Sequence, residues 1–348
     1  MSPTVFDDLK AALDGRFSAR LQTVDSHTEG EITRLVVGGY PPIPGASMRE
    51  KRDYVEGRLD GFRKLITREP RGHRGILAAL VTEPVTDGAA FGLIYMDARR
   101  YPYLCGHATI GAVTTLIEGG VVAAAEPETT VIVDTPSGPM SARAAIRRGR
   151  VTSVAIRMVP AFAADGPRRL TVPGLGEIPV HLVCSGGFFA MVASDAIDVP
   201  LTLAHAPRLA ELGMAIIDAA NDQLTVFHPT RPEVTTVDVT EFYGPAGHDD
   251  RRGKSVVVYG ESHIDRSPCG TGTAAKLALL HARGAIGVGE PFVNESPLGT
   301  TFEAVIVSET VVGDRPAVTV EIRGGAHITG FHELVADPAD PFPEGYIL

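Results

Sequence analysis

Two short stretches of this sequence carry residue types suited to acid–base chemistry at carbon. Cys105-Gly106-His107-Ala108-Thr109 and Cys269-Gly270-Thr271-Gly272-Thr273 each place a cysteine before a glycine and keep a threonine four positions on. Each leads into a helix-like run, residues 110–118 and 274–283, and each run stops at glycine, Gly119-Gly120 in one case and Gly284 in the other. A thiol at the first turn of a helix faces unpaired backbone N–H groups and the positive end of the macrodipole, so both thiols are expected to ionise more easily than a free one. If two halves of the chain face each other, one thiolate and one thiol would flank a single carbon. Removing a proton from one face and returning one to the other inverts a stereocentre, a task for two groups of matched basicity with no metal between them. The same helix ends offer N–H groups that can hold a carboxylate without any arginine.

The elements that must position these residues follow from composition and pattern. A chain of 348 residues, 44% hydrophobic and 21% charged, is long enough for two domains of an ordinary globular protein. With 32 basic against 42 acidic residues, a formal charge of −10 and no basic block, nucleic acid and anionic membrane are excluded as partners. Residues 1–20 contain Asp7, Asp8, Lys10 and Asp14 and lack an apolar signal core, and no apolar run is long enough to span a bilayer, so a cytoplasmic address is expected. Three cysteines without CxxC spacing argue against a disulfide framework and against structural zinc. Cys184, inside the apolar run 180–184, reads as a small buried hydrophobe.

Along the chain, residues 5–13 form a weak helix and a strand begins near Leu21, followed by a strand over 32–37 and a turn at Gly38-Gly39-Tyr40-Pro41-Pro42. Ser47 with Glu50 makes a capping box, and Tyr54, Val55, Leu59, Phe62, Leu65 and Ile66 recur at helical spacing, which predicts one helix over 47–67. Strands over 76–82 and 91–96 lead to the first cysteine, and strand-like runs follow at 130–133, 141–146 and 151–158. Residues 160–179, rich in proline and glycine, read as a linker. Beyond them the pattern predicts strands at 180–184 and 188–193, a helix at 207–220, and strands at 224–227 and 256–259 before the second cysteine. Strands at 301–307, 317–322 and 326–331 follow it. Strands outnumber helices and short turns join most of them, which points to an α+β protein with mostly antiparallel sheet.

Several longer motifs carry a resemblance. Asp25-Ser26-His27-Thr28-Glu29-Gly30-Glu31, Glu69-Pro70-Arg71-Gly72-His73, Gly186-Gly187-Phe188-Phe189-Ala190, Asp265-Arg266-Ser267-Pro268-Cys269 and Ile328-Thr329-Gly330-Phe331-His332, with the two cysteine stretches, resemble the signatures of the proline racemase family across nearly the whole chain. The resemblance implies a cofactor-independent enzyme of two pseudo-symmetric domains, each a strand-rich sheet around a central helix, as in the diaminopimelate epimerases. The domains are expected over 1–158 and 159–321, with 322–348 returning to the first. It implies catalytic roles for Cys105 and Cys269, carboxylate-binding amides at Gly106, His107, Gly270 and Thr271, an acceptor for the substrate nitrogen at Asp265, and a homodimer. Ala108 departs from the family's usual glycine, and Leu77 and Tyr259 stand where proline racemases tend to carry phenylalanine. A Tyr259 hydroxyl suits a hydroxylated ring, whereas Val239 stands where 4-hydroxyproline epimerases often have histidine.

The resulting expectation is a proline racemase, with 4-hydroxyproline 2-epimerase as the alternative. Cys269, in a place where trans-3-hydroxyproline dehydratases commonly have threonine, argues against that branch. Two other classes compete, a two-lobed imino acid binding protein and a thiol redox enzyme. Gly270-Thr271-Gly272 is not followed by Gly-Lys-Ser/Thr, so it is no nucleotide loop. His107 either bonds its own loop or touches substrate, Asp265 could be a turn residue ahead of Pro268, and His27 and His73 are expected to organise loops.

Overall fold

The computed structural model describes residues 5–260 and 262–348. In chain order the first elements are α1 (Val5–Ala12), β1 (Ala19–Thr28), β2 (Glu31–Gly38), α2 (Met48–Arg58), α3 (Asp60–Thr67), β3 (Leu77–Thr82), β4 (Phe91–Met96), α4 (Gly106–Glu118), β5 (Glu128–Asp134), β6 (Met140–Arg147) and β7 (Arg150–Arg157). They are followed by β8 (Ala161–Val172), β9 (Gly176–Ser185), β10 (Gly187–Ala193), α5 (Ala206–Gln223), β11 (Val237–Pro245), β12 (Arg252–Tyr259), the short β13 (His263–Ile264), α6 (Gly270–Ala282), β14 (Pro291–Glu295), β15 (Thr301–Val312), β16 (Arg315–Gly324) and β17 (Ala326–Ala336). The protein is α+β, strand-rich with few helices.

One order of pairings occurs twice. From β17 the ladder runs antiparallel to β1 and β2, parallel to β3, antiparallel to β4, parallel to β5, then antiparallel to β6 and β7. From β8 it runs antiparallel to β9 and β10, parallel to β11, antiparallel to β12, parallel to β14, then antiparallel to β15 and β16. β16 also pairs with β7, which welds the two runs into one continuous sheet. In the first run α4 packs against β1, β2, β3, β6, β7 and β17; in the second, α6 packs against β8, β9, β10, β12, β15 and β16. A helix wrapped on all sides must be apolar all round. Gly106 to Ile117 of α4 are all buried, and so are Gly272 to Leu279 of α6, built largely from alanine, leucine and threonine.

Four expectations are corrected. The helix over 47–67 is two helices, broken at Leu59 (φ −127°, ψ 17°), which lets Asp60 bond Arg63 Nε at 2.6 Å and the Tyr101 hydroxyl at 3.0 Å. Ser47 does cap α2, accepting from the Glu50 N–H at 3.1 Å. The supposed linker over 160–179 is the long hairpin of β8 and β9; its prolines are tolerated because the register shifts between Ala163 and Pro167, at a bulge that asks no ladder N–H of Pro167. Residues 224–227 form no strand; they leave α5 as unpaired chain with Phe227 exposed. Both cysteine helices also begin earlier than periodicity suggested, at the glycine that follows the cysteine. Among the described residues, no helix is long and apolar enough to cross a membrane.

Candidate active site

α4 and α6 meet head to head. A methyl group built on Gly106 would stand 3.7 Å from Gly270 Cα, and one on Gly270 would stand 3.6 Å from Gly106 Cα, so the two helix starts touch through the glycines that follow the cysteines. Cys105 and Cys269 are the N-cap residues of these helices. Each sulfur is touched by the side chain two positions on: His107 Nδ1 lies 3.3 Å from Cys105 Sγ, and Thr271 Oγ1 lies 3.5 Å from Cys269 Sγ. Cys269 Sγ also accepts from the Gly272 N–H at 3.3 Å. The threonines four positions on lock each turn. Thr109 Oγ1 donates to Cys105 O at 2.8 Å and sits 2.7 Å from the Tyr95 hydroxyl; Thr273 Oγ1 donates to Pro268 O at 3.1 Å and accepts from Asn294 Nδ2 at 2.8 Å.

The two turns are not identical. Cys105 has extended backbone (φ −147°, ψ 114°), whereas Cys269 has φ +59° and ψ 118°, a region that a residue with a Cβ occupies only under strain. Surrounding bonds hold it there: Ser267 Oγ accepts from the Cys269 N–H at 3.1 Å and itself donates to Asp265 Oδ1 at 2.7 Å.

The expectation that both thiols ionise easily is corrected. Burial pushes the Cys105 thiol far up, and the N–H groups of Ala108 and His107, acting as dipoles, only partly offset it while Asp265 and Glu31 add to it. Burial likewise raises the Cys269 thiol well above its ordinary value, aided by Asp265 and opposed by Thr271 and the Gly272 N–H. Desolvation of the anion outweighs the helix-end dipoles because both sulfurs sit among apolar neighbours of the central core.

Asp265 is buried, accepts from Ser267 N–H at 2.9 Å, and has its carboxyl pushed up to about 7 by burial and by the Glu31 charge. His107 is buried and held neutral near pH 7, its imidazole lowered to about 4 chiefly by burial. Tyr259 packs edge-on against His263, with ring centroids 4.9 Å apart, and lies close enough to Cys105, Cys269, Asp265 and Glu31 for all four to raise its phenol beyond the effect of burial. Tyr259 and Asp265 thus each lie within electrostatic reach of both sulfurs. Val239 stands between Phe189 and Tyr259 as a cross-strand neighbour of each, which makes one wall apolar. A cleft of about 740 Å³ opens beside Leu104 and Thr271 and is also lined by Gly186, Phe189 and Val239.

Glu31, quoted within a motif but given no role, proves central. Fully buried on β2, it accepts from the Arg266 N–H at 2.7 Å, from Arg266 Nε at 3.0 Å and Nη2 at 2.8 Å, and lies 3.2 Å from His263 Nε2. It thereby ties the first run of strands to the loop that carries Asp265 and Cys269. Nothing local could have signalled this, because its partners come from the opposite half of the sequence. His27 and His73 each accept a loop N–H, from Gly30 at 3.2 Å and Gly75 at 3.1 Å. Cys184 is buried on β9, its thiol raised to about 11 by burial. Among the described residues, no group of three or more His, Cys, Asp or Glu is gathered as metal ligands.

This chain is similar to known proteins. A sequence model of the family described as proline racemase matches residues 23–347. Proline racemase of Clostridioides difficile is 44% identical over 333 residues, covering 96% of this chain and 99% of that protein. The 4-hydroxyproline 2-epimerase of Streptosporangium roseum is 40% identical over 325 residues, covering 93% and 97%. A solved hydroxyproline epimerase from Agrobacterium vitis, with bound trans-4-hydroxy-L-proline, matches with a TM-score of 0.89 at 30% identity over 96% of each chain.

Proposed function

This chain belongs to the proline racemase family, and we propose that it is an isomerase that inverts the α-carbon of a cyclic imino acid, proline first, with two cysteines as its bases and no cofactor. The observation that carries this reading is the head-to-head meeting of two helix starts, each capped by a cysteine. The substrate carboxylate lies on the N–H groups of Gly106, His107, Gly270 and Thr271, and the ring nitrogen donates to Asp265. One sulfur, as thiolate, takes the α-hydrogen as a proton; the electron pair spreads into the carboxylate, where fixed N–H dipoles stabilise it in a site closed to water. The other sulfur, as thiol, returns a proton to the opposite face. The enzyme is left with its protonation reversed, ready for the opposite enantiomer. Because the thiols interact, their apparent pKa values belong to the pair, and rate against pH follows a bell.

The apolar wall of Val239 and Phe189 and the 44% identical relative favour proline. The Tyr259 hydroxyl favours the second reading, 4-hydroxyproline 2-epimerase, the name of the 40% identical relative. The same proposal divides the chain into a first domain of residues 1–158 completed by 322–348 and a second of 159–321, and places the protein as a cytoplasmic homodimer.

Incubation with L-proline in heavy water tests the reading. The expected result is D-proline carrying deuterium at the α-carbon, with activity lost by at least ~100-fold in Cys105→Ser and in Cys269→Ser while both remain folded. An unexchanged α-hydrogen would identify a binding protein. Turnover that requires a Cys105–Cys269 disulfide would identify a redox enzyme. Appreciable racemisation by either serine variant would refute the two-base scheme.

A further inference from the structure

Behind Cys269 lies a buried polar cluster for which the reaction described above has no use. Glu241, on β11, is fully buried. Its Oε1 accepts from Ser255 Oγ at 2.6 Å. Asn294 Oδ1, 3.2 Å from the same hydroxyl, accepts from Lys276 Nζ at 2.8 Å, and Asn294 Nδ2 donates to Pro268 O at 3.1 Å. The cluster therefore grips the Cys269 turn from behind. The other carboxylate oxygen, Glu241 Oε2, is buried with no hydrogen-bond partner. It faces Gly272, where an added methyl would stand 2.8 Å from it, and Gly272 is the residue whose N–H donates to Cys269 Sγ.

At the matching places the first half carries no carboxylate. The cross-strand row Leu35–Ala79–Tyr95 of β2, β3 and β4 corresponds, in the repeated order of pairings, to Met191–Glu241–Val257 of β10, β11 and β12. Ala108 stands where the second half has Gly272. Two methyl groups thus occupy the places taken by a carboxylate and by the glycine that makes room for it. Glu31, a carboxylate that acts on Cys105 together with Asp265, is matched by a guanidinium in direct contact. Glu241 has no such match: Lys276, the cation of its cluster, hydrogen-bonds Asn294 and the Lys254 carbonyl instead.

We propose that Glu241 is a positioning residue for Cys269 that keeps the resting proton on this second thiol, so that the free enzyme carries its thiolate at Cys105. The proposal rests on the reading of the two cysteines as a base pair. A carboxylate oxygen across Gly272 repels negative charge on Cys269 Sγ through a low-dielectric interior, where such repulsion is strong. The titratable groups facing Glu241 are Lys276 from α6 and Asp265 from the loop before it; Asp265 acts on both sulfurs, so it does not separate them. Burial raises the Glu241 carboxyl to about 7, so its hold on Cys269 strengthens as pH rises through that value.

The test is alkylation of Cys269 by iodoacetamide, sulfur displacing iodide, in a Cys105→Ser background, followed by peptide mass spectrometry from neutral to alkaline pH. Glu241→Gln is expected to lower the pH midpoint by about one pH unit. Thiolate then rises tenfold below the midpoint, and because a less basic sulfur is a weaker nucleophile the rate rises about threefold. Lys276→Met, which removes the counter-charge, is expected to raise the midpoint. A Glu241→Gln protein that melts normally with the midpoint unmoved or raised overturns the proposal. If that variant does not fold, Lys276→Met decides by whether its midpoint rises. Alkylation is read without turnover, so its outcome is separate from that of the racemisation assay.

Discussion

Replacing Glu31 by glutamine probes the tie between the two halves of the molecule. Glutamine keeps the shape and one acceptor oxygen, but it points an NH2 group at donors from Arg266 or His263, leaving the Gly75 carbonyl, at 2.7 Å, as the guanidinium's remaining firm acceptor. Removing one member of a buried ion pair costs roughly 3–5 kcal/mol. The Arg266 side chain is 26% exposed, so water screens the orphaned charge, and the cost falls to ~3 kcal/mol. At ~2.1 cal/mol/K per residue, a chain this long unfolds with an entropy near ~0.7 kcal/mol/K, and the melting temperature should drop by ~4 °C. The pH dependence has a definite sign. Burial favours the neutral acid, but the hydrogen bonds and charges of His263 and Arg266 together hold the Glu31 carboxyl below its ordinary value of 4.5. Its stabilisation is therefore complete above about pH 4.5 and fades as pH falls further. With no tryptophan in the chain, far-ultraviolet circular dichroism is the suitable probe. Melts of the two proteins should differ by ~4 °C at pH 7 and converge below about pH 4.5. Equal melting at pH 7, or an undiminished gap in acid, would refute the reasoning.

Other consequences are open to direct measurement. With Asp265 raised to about 7, kcat/KM should fall on the acid side of that pH, and Asp265→Asn should abolish this limb while losing at least ~100-fold in rate; an unchanged limb would assign it elsewhere. Tyr259→Phe should lower the rate on trans-4-hydroxy-L-proline relative to L-proline by ~10-fold, and a constant ratio would remove the hydroxyl from recognition. Gly213→Ala puts a methyl 2.5 Å from Val258 Cβ where α5 packs on β12, so it should cost ~1–3 kcal/mol of stability by overpacking and leave the activity of folded protein unchanged. Wild-type melting in that variant would show that the helix can shift.

What the sequence reveals is what local pattern can encode. Ser47 caps α2 because a hydroxyl three residues ahead of Glu50 suffices, with no help from elsewhere. The two cysteine stretches are legible for the same reason, since a thiol, a glycine and a threonine in one turn define a helix start. The conformations differ at Cys269 because Asp265, Ser267 and Asn294 shape that turn, and Asn294 comes from a strand beyond the helix. β11 is not legible in the sequence because Asp238, Glu241 and Gly244 interrupt its apolar pattern, and the carboxylate of Glu241 is tolerated only through the distant Ser255, Asn294 and Lys276. The hairpin of β8 and β9 reads as a linker in the sequence because Pro167 and Gly176 are breakers in isolation, yet one sits at a bulge and the other at the tight turn. Thiol acidity is not legible in the sequence because helix-end dipoles can be read from position, whereas desolvation cannot.

The pairing of β17 with β1 sets an order of events during synthesis. The strand that completes the N-terminal sheet spans 326–336, so β1 has an open edge on that side until almost the entire chain has been made. An uncovered edge invites pairing with other chains. The second run of strands, β8 to β16, is contiguous and can close first. On a ribosome, the half that emerges first is therefore the last to be finished, and removing β17 should cripple the half that holds Cys105 while sparing the one that holds Cys269.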